Sequence, residues 1–169
     1  MNTEEKLAGQ EGVEKIRKLV QEINICLFCT DLKTDDGATC RPMTALEVDD
    51  EGNLWFFSAL SSEKNKAIEK DNQVQLFFAH PPKGSYMIVN GHAEISTDKQ
   101  KIQDLWSPLQ DIWFKGGKDD PELSVIKVTP KNAYFWDSEG NRMVNIFKMV
   151  VSVITGKNLI DGTEGSITL

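Results

Sequence analysis

The chain has 169 residues and a mass of 19.0 kDa, which fits one domain because domains commonly hold about 100–150 residues. Its 40% of hydrophobic residues can form a core, and its net charge of −7 argues against a general attraction to nucleic acid or anionic membranes. The apolar stretches are too short to span a bilayer, and no apolar run follows a basic segment at the N-terminus. Three cysteines, an odd number, argue against a disulfide framework, so we expect a cytoplasmic protein.

The first part of the chain predicts a helix that leads into a β-meander. Apolar residues recur every three or four positions over residues 11–22, which is typical of an amphipathic helix. Short apolar runs then predict strands over residues 23–30, 38–48 and 54–59, separated by acidic, glycine-containing turns.

The rest of the chain adds strands and a few short helices. The predicted elements are a helix from Ser62 to about Lys70, strands 72–80 and 86–96, a helix over 98–106, an irregular segment 106–122, strands 123–130 and 132–138, and a closing helix 142–154. About seven strands with peripheral helices predict a mainly β fold, a closed or nearly closed antiparallel barrel. We expect one domain over residues 1–155 and a loose tail over residues 156–169.

Three groups of residues are interpreted as structural rather than functional. Cys26 and Cys29 have C-x-x-C spacing, but residues three apart in a strand face opposite sides, which favours buried structural thiols. His80 and His92 lie on separate predicted strands without a nucleophile beside them. The acidic run 119–122 lacks the spacing of a calcium loop and favours a solvated turn. We therefore predict no metal site.

Four residues are candidates for an anion-binding site, which we call the anion cradle: Arg41, Ser58, Ser62 and Lys64. Arg41 precedes Pro42 inside a predicted strand, and proline within a strand indicates an edge, a bulge or a ligand groove. An arginine offers a planar fork for phosphate, and hydroxyls beside a helix N-terminus and a lysine also favour an anion. The alternative is a surface salt bridge for Arg41 and an ordinary helix cap at Ser62.

One glycine and three tryptophans are weaker candidates for contact with a planar ligand. Gly91 lies in the middle of a predicted strand, where it indicates a bulge or a close approach of ligand to the backbone. Trp106, Trp113 and Trp136 suit packing near an aromatic ligand, although tryptophans more often belong to a core or an interface.

The order of several motifs along the chain carries a family resemblance. The motifs are Arg41-Pro42-Met43, Leu54-Trp55-Phe56-Phe57-Ser58, Ser62-x-Lys64, Asn90-Gly91-His92-Ala93, Trp106, Trp113-Phe114-x-Gly116-Gly117-x-Asp119-Asp120-Pro121 and Tyr134-Phe135-Trp136-Asp137. Over roughly residues 10–150 they resemble the flavin-binding split-barrel family of pyridoxamine 5′-phosphate oxidase, in its branch called general stress protein 26.

That resemblance implies an antiparallel, Greek-key-like split barrel that forms a homodimer with two flavins at the subunit interface. FMN is the expected cofactor, with FAD as the alternative. The anion cradle would hold the flavin phosphate, Met43 and Thr44 would lie along the isoalloxazine with backbone contacts, and Phe57 would border it. The cofactor-binding residues carried over by resemblance are Arg41, Pro42, Met43, Thr44, Phe57, Ser58, Ser62, Lys64, Trp113 and Trp136, the last reaching across from the second subunit.

The chain departs from the oxidases where they bind their substrate phosphate. Arg142 falls on the first position of their basic cluster, but Val144 and Ile146 replace the histidine and the second arginine, and Tyr86 replaces a flavin-contacting glutamine. We therefore predict that pyridoxamine 5′-phosphate is not oxidised.

Three functional hypotheses follow from the sequence. The first is a flavin-dependent oxidoreductase of unknown substrate, for which no catalytic residue is named. The alternatives are a non-catalytic protein that binds or buffers flavin, and a split barrel that holds haem or a deazaflavin.

Overall fold

The computed structural model describes residues 3–137 and 163–169. The strands are β1 (Thr3–Ala8), β2 (Ile25–Thr30), β3 (Thr39–Thr44), β4 (Glu47–Val48), β5 (Leu54–Ala59), β6 (Gln73–His80), β7 (Ser85–Ser96), β8 (Leu123–Asp137) and β9 (Thr163–Thr168). The helices are α1 (Gly9–Glu22), α2 (Glu63–Lys70) and α3 (Lys99–Leu105), followed by two short 3₁₀ turns (Pro108–Ile112 and Gly117–Asp119).

Six of the strands form a mainly β barrel in the order β3-β2-β6-β7-β8-β5, and every neighbouring pair in this order is antiparallel. The long strand β8 pairs with β7 along most of its length, while β5 and β9 pair with its first and last parts on the other side. Among the described strands, β3 pairs only with β2, although β5 lies close to its free edge. This unpaired gap between β3 and β5 is called the seam.

The core lies inside the barrel, because alternate residues of each strand point inward. Phe28, Phe56 and Phe135 are fully buried there, and Phe28 meets Phe56 edge to face with ring centroids 5.2 Å apart. Helix α1 contributes its apolar stripe, including Ile16 and Leu19, to the same cluster. The predicted helix over residues 11–22 is thus confirmed.

The middle of β7 approaches β8 so closely that only glycine fits there. A Cβ atom on Gly91 would lie 2.4 Å from the backbone oxygen of Thr129. The register between β7 and β8 also shifts between Asn90 and Gly91, opposite Pro130. The bulge predicted from this mid-strand glycine is confirmed.

Several predicted element boundaries differ from the structure. Residues 123–138 were expected to form two strands, but β8 runs through Pro130, whose missing N–H is accommodated at the bulge. The expected strand over 38–48 is divided into β3 and β4. Residues 163–168, expected to be loose, pair antiparallel with β8 and parallel with β1, and Ile167 is fully buried. The predicted closing helix over 142–154 lies outside the described residues.

The cysteines do not follow the expectation of unpaired thiols. Cys29 on β2 faces Cys40 on β3 in the register, and the two form a disulfide. Cys26 is buried on the other face of β2, and burial raises the pKa of its thiol to about 12. The cysteine count therefore no longer argues for a reducing compartment. In the parts of the chain that are described, no helix is long and apolar enough to cross a membrane.

Candidate functional site

Three of the four residues of the anion cradle meet where β5 ends and α2 begins. Ser58 is buried at the end of β5, and Ser62 caps α2 by accepting a hydrogen bond from the Asn65 N–H at 3.2 Å. The Lys64 ammonium donates to the Ser58 hydroxyl and lies 3.5 Å from the Ser62 hydroxyl. The structure thus brings together the hydroxyls and the lysine that the sequence nominated.

Arg41 supplies the second positive charge from across the seam. It lies on β3 and donates from Nη1 to the Thr30 hydroxyl at 3.1 Å, and that hydroxyl lies 3.2 Å from a carboxylate oxygen of Asp31. Burial lowers the pKa of Arg41 while the Asp31 charge opposes that shift. Arg41 is thus held by one neighbouring side chain on β2 and keeps most of its donors for other partners.

The electrostatics of Lys64 are unfavourable without an anion. Only 9% of its surface is exposed, and burial together with the Arg41 charge lowers the pKa of Lys64 to about 8. It is also the second residue of α2, where the positive end of the helix dipole disfavours a cation. Within the described residues, no ion pair joins Lys64 or Arg41 to a carboxylate. Two cations and a helix N-terminus therefore lie close together, an arrangement that could hold an anion.

Two residues that the sequence analysis did not nominate complete this region. Asn65 is 1% exposed and accepts a hydrogen bond from the Ser58 hydroxyl at 2.7 Å. Its amide nitrogen donates to the Ser124 hydroxyl at 3.1 Å, and Ser124 in turn donates to the Ser58 carbonyl oxygen at 2.9 Å. Ser124 lies directly opposite Ser58 in the pairing of β5 with β8.

The other nominated residues of β3 and β5 divide between two faces. Met43 packs against the barrel core, on the same face of β3 as Arg41, whereas Pro42 and Thr44 are exposed on the opposite face. Phe57 lies on the face of β5 opposite Ser58, where its ring centroid is 5.7 Å from that of Trp106. The structure does not bring Phe57 into the anion cradle.

Two of the three nominated tryptophans, Trp113 and Trp136, are exposed to solvent in the single chain. Trp113 follows the first 3₁₀ turn and is 81% exposed, while its neighbour Phe114 packs against Phe57. Trp136 is 38% exposed on β8, and its ring stands 4.6 Å from that of Tyr134. Trp136 lies at the opposite end of β8 from Ser124, the residue that pairs with Ser58.

Trp136 belongs to an apolar patch on the outside of the barrel, which we call the apolar outer face. One row of this face crosses five paired strands and consists of Pro42, Leu27, Phe77, Ile88 and Tyr134. A neighbouring row holds Ala79, Tyr86 and Trp136. A hydrogen-bonded row of amides borders the patch, with Gln75 donating to Asn90 at 2.8 Å and Asn90 to Asn132 at 2.9 Å.

The barrel and its seam together define a split-barrel protein, and the paired cations could hold an anionic group. The chain belongs to the family described as pyridoxamine 5′-phosphate oxidase like, whose model matches residues 11–161. Within that family its resemblance to the general stress protein 26 branch is confirmed. It is 30% identical over 84 residues to general stress protein 26 of Bacillus subtilis, covering 47% of this chain and 59% of that protein.

Two solved structures illustrate the likeness of fold. A general stress protein 26 from Jannaschia sp. CCS1 superposes with a TM-score of 0.79 at 22% identity, covering 92% of this chain and 97% of the other. The general stress FMN/FAD binding protein of Xanthomonas citri superposes with a TM-score of 0.66 at 25% identity, covering 79% and 93%. The chain spans 54% and 59% of the lengths of two curated relatives that it matches.

Proposed function

We propose that this protein binds FMN, with the flavin phosphate held in the anion cradle. The observation that carries the proposal is the buried Lys64, which lies near Arg41 and the start of α2 and has no carboxylate partner in the described residues. A phosphate monoester carries close to two negative charges at neutral pH and offers three acceptor oxygens, which suits two cations and two hydroxyls. The FMN/FAD binding protein of Xanthomonas citri shares the fold and supports a flavin.

FMN fits the cradle better than FAD because its phosphate is terminal. The diphosphate of FAD is a diester, so each phosphorus carries only about one charge and two free oxygens. Lys64 and Arg41 offer two positive charges that lie close enough for the Arg41 charge to lower the pKa of Lys64. When bound, a flavin supplies redox chemistry, while this chain binds and orients it. We name no proton carrier among the residues, and oxidoreductase activity on an unknown substrate is part of the proposal.

A titration with FMN and riboflavin tests the role of the cradle. Substitution Lys64→Ala should weaken FMN binding by about 1–3 kcal/mol, roughly 5- to 150-fold in Kd, because a charge-assisted hydrogen bond is lost. Riboflavin lacks the phosphate, so its affinity should not change. Lys66→Ala is the matched control, since Lys66 lies on the same helix but is exposed and paired with Glu63. Equal FMN affinity for Lys64→Ala and the native protein would contradict the assignment.

The cofactor class and the reaction need separate measurements. A protein that quenches neither FMN nor FAD fluorescence, or that carries a haem spectrum, would refute the flavin assignment. Reduction of bound flavin on rapid mixing with NADH or NADPH would support a reductase. Failure of both donors would favour the non-catalytic alternative.

We further propose that the apolar outer face packs against a second copy of this chain. Leu27, Tyr134 and Trp136 are large apolar side chains that the single chain leaves partly exposed, and they belong to one continuous patch. A homodimer built on this face would bury Trp136, the residue expected to reach the flavin of the partner subunit. Light scattering should then give about twice 19.0 kDa for the native protein, and Leu27→Asp should lower that mass. A native monomer would exclude the dimer.

A further inference from the structure

Asn65 is buried beside the anion cradle. The donors and acceptors in the hydrogen bonds of its side chain can be assigned in only one way. The Ser124 hydroxyl has one proton, which it donates to the Ser58 carbonyl oxygen at 2.9 Å. Ser124 must therefore accept the hydrogen bond from the Asn65 amide nitrogen, at 3.1 Å. The side-chain oxygen of Asn65 consequently points at Ser58.

The direction of the Asn65 amide fixes the role of Ser58. The Ser58 hydroxyl also has one proton, and its shortest acceptor is the Asn65 side-chain oxygen at 2.7 Å. Because the Ser58 hydroxyl donates its proton to the Asn65 oxygen, its lone pairs face the Lys64 ammonium and accept a hydrogen bond from it. Lys64 reaches the cradle from the first turn of α2, and Ser58 is its nearest polar contact.

We propose that Asn65 is a positioning residue for phosphate recognition: by accepting the hydrogen bond of the Ser58 hydroxyl, it fixes that hydroxyl with its lone pairs toward the Lys64 ammonium and so holds the ammonium where it meets the bound anion. This inference rests on the proposed phosphate-binding function of the cradle. In this role the amide oxygen of Asn65 acts through Ser58 and does not touch the ligand. Asn65 is also neutral, so it orients Lys64 without consuming its charge.

Two substitutions at this position separate orientation from charge. Asn65→Ala leaves the Ser58 hydroxyl free to rotate and should raise the Kd for FMN about two- to twelvefold, the range for losing one hydrogen bond. Asn65→Asp keeps the shape but adds a carboxylate beside Ser58 and Lys64 that competes with the phosphate, so we expect a larger loss. Neither change should alter the Kd for riboflavin, so both should lower the preference for FMN over riboflavin.

Asn53→Ala is the matched control for a merely structural role. Asn53 is also a buried asparagine, but its side chain bonds Asp49 and Thr129 just before β5 begins, away from the cradle residues at the end of that strand. It should lower the melting temperature while leaving the ratio of the FMN and riboflavin affinities unchanged. If Asn65→Ala and Asn53→Ala lower both affinities in parallel, or if Asn65→Ala leaves the ratio at its native value, the inference is wrong.

Inorganic phosphate serves as a second probe that does not depend on the flavin. If the native protein binds phosphate but not FMN, the flavin proposal fails, and the effect of Asn65→Ala on phosphate affinity still decides the inference. A twofold or greater weakening of phosphate binding supports it, and any smaller change overturns it. If the native protein binds neither phosphate nor FMN, the proposed function and the positioning role of Asn65 both fall.

Discussion

The affinity for FMN should decrease as the pH rises through about 8, because the charge on Lys64 is lost there. Burial and the Arg41 charge lower the pKa of Lys64 to about 8 in the free protein. A phosphate dianion beside the ammonium favours its protonated form. FMN therefore binds the protonated protein, and above pH 8 a proton must be taken up with the ligand.

The size of this effect follows from the pKa. If bound phosphate keeps Lys64 protonated throughout, the observed Kd scales with the reciprocal of the protonated fraction of the free protein. Between pH 7 and 9.5 that factor is roughly 30-fold. Calorimetry in two buffers of different ionisation enthalpy should show proton uptake approaching one per site at pH 9.

Lys64→Met and riboflavin provide the controls for the pH profile. The variant lacks the titrating amine, so its weaker FMN binding should not change over the same range. Riboflavin binding to the native protein should also stay level. A level FMN profile for the native protein, or the same decline in Lys64→Met, would refute the role of Lys64.

In contrast to the affinity for FMN, the stability of the free protein should gain from a rise in pH above about 8. The folded-state pKa of Lys64 lies below its ordinary value of 10.5, so the unfolded chain binds more protons between pH 8 and 10.5. The contribution of Lys64 to the free energy of unfolding therefore rises with pH in that window. Below pH 8 the amine is charged in both states, and its desolvation destabilises the folded protein in full.

Two further predictions concern the scaffold. Gly91→Ala should lower the free energy of unfolding by about 1–3 kcal/mol, because its methyl group would overlap the Thr129 backbone oxygen, and urea denaturation measures the loss. Gly12→Ala should cost less, since the new methyl meets only side chains, those of Ile167 and Leu169, and equal costs would contradict the tight β7–β8 approach. Without reductant, the denatured protein should expose one titratable thiol, that of Cys26, and three after reduction. Three thiols before reduction would exclude the disulfide. The disulfide closes a short loop and should stabilise the fold by on the order of 3 kcal/mol.

Much of the barrel could be predicted because its signals are local. Helix α1 shows its apolar stripe every three or four residues, and β5 and β6 are short apolar runs between turn residues. Strands β1 and β9 were missed since Thr3–Ala8 and Thr163–Thr168 are mostly polar and are ordered by pairing with each other and with β8. Such pairing between distant segments leaves no local pattern.

The candidate site shows the same division between local and distant signals. Ser58, Ser62 and Lys64 lie within seven positions and could be grouped from the sequence, whereas Asn65 depends on Ser124, 59 positions away. The disulfide was missed for a related reason, since Cys29 meets Cys40 only through the register of β2 with β3. The alternation of side chains in β5 did contain the information that Phe57 faces away from Ser58.

The seam leaves one edge of β3 open, and Pro42 limits what can bind along that edge. The Cα atoms of Cys29 and Cys40 are 4.1 Å apart, a short spacing typical of a pair whose backbone groups point away from each other. Pro42 pairs with Leu27 two residues further on and has the same orientation, so its nitrogen faces the seam. That nitrogen carries no hydrogen, and a strand from another molecule would find a gap in its ladder there. The open edge of the barrel is thereby protected against edge-to-edge aggregation.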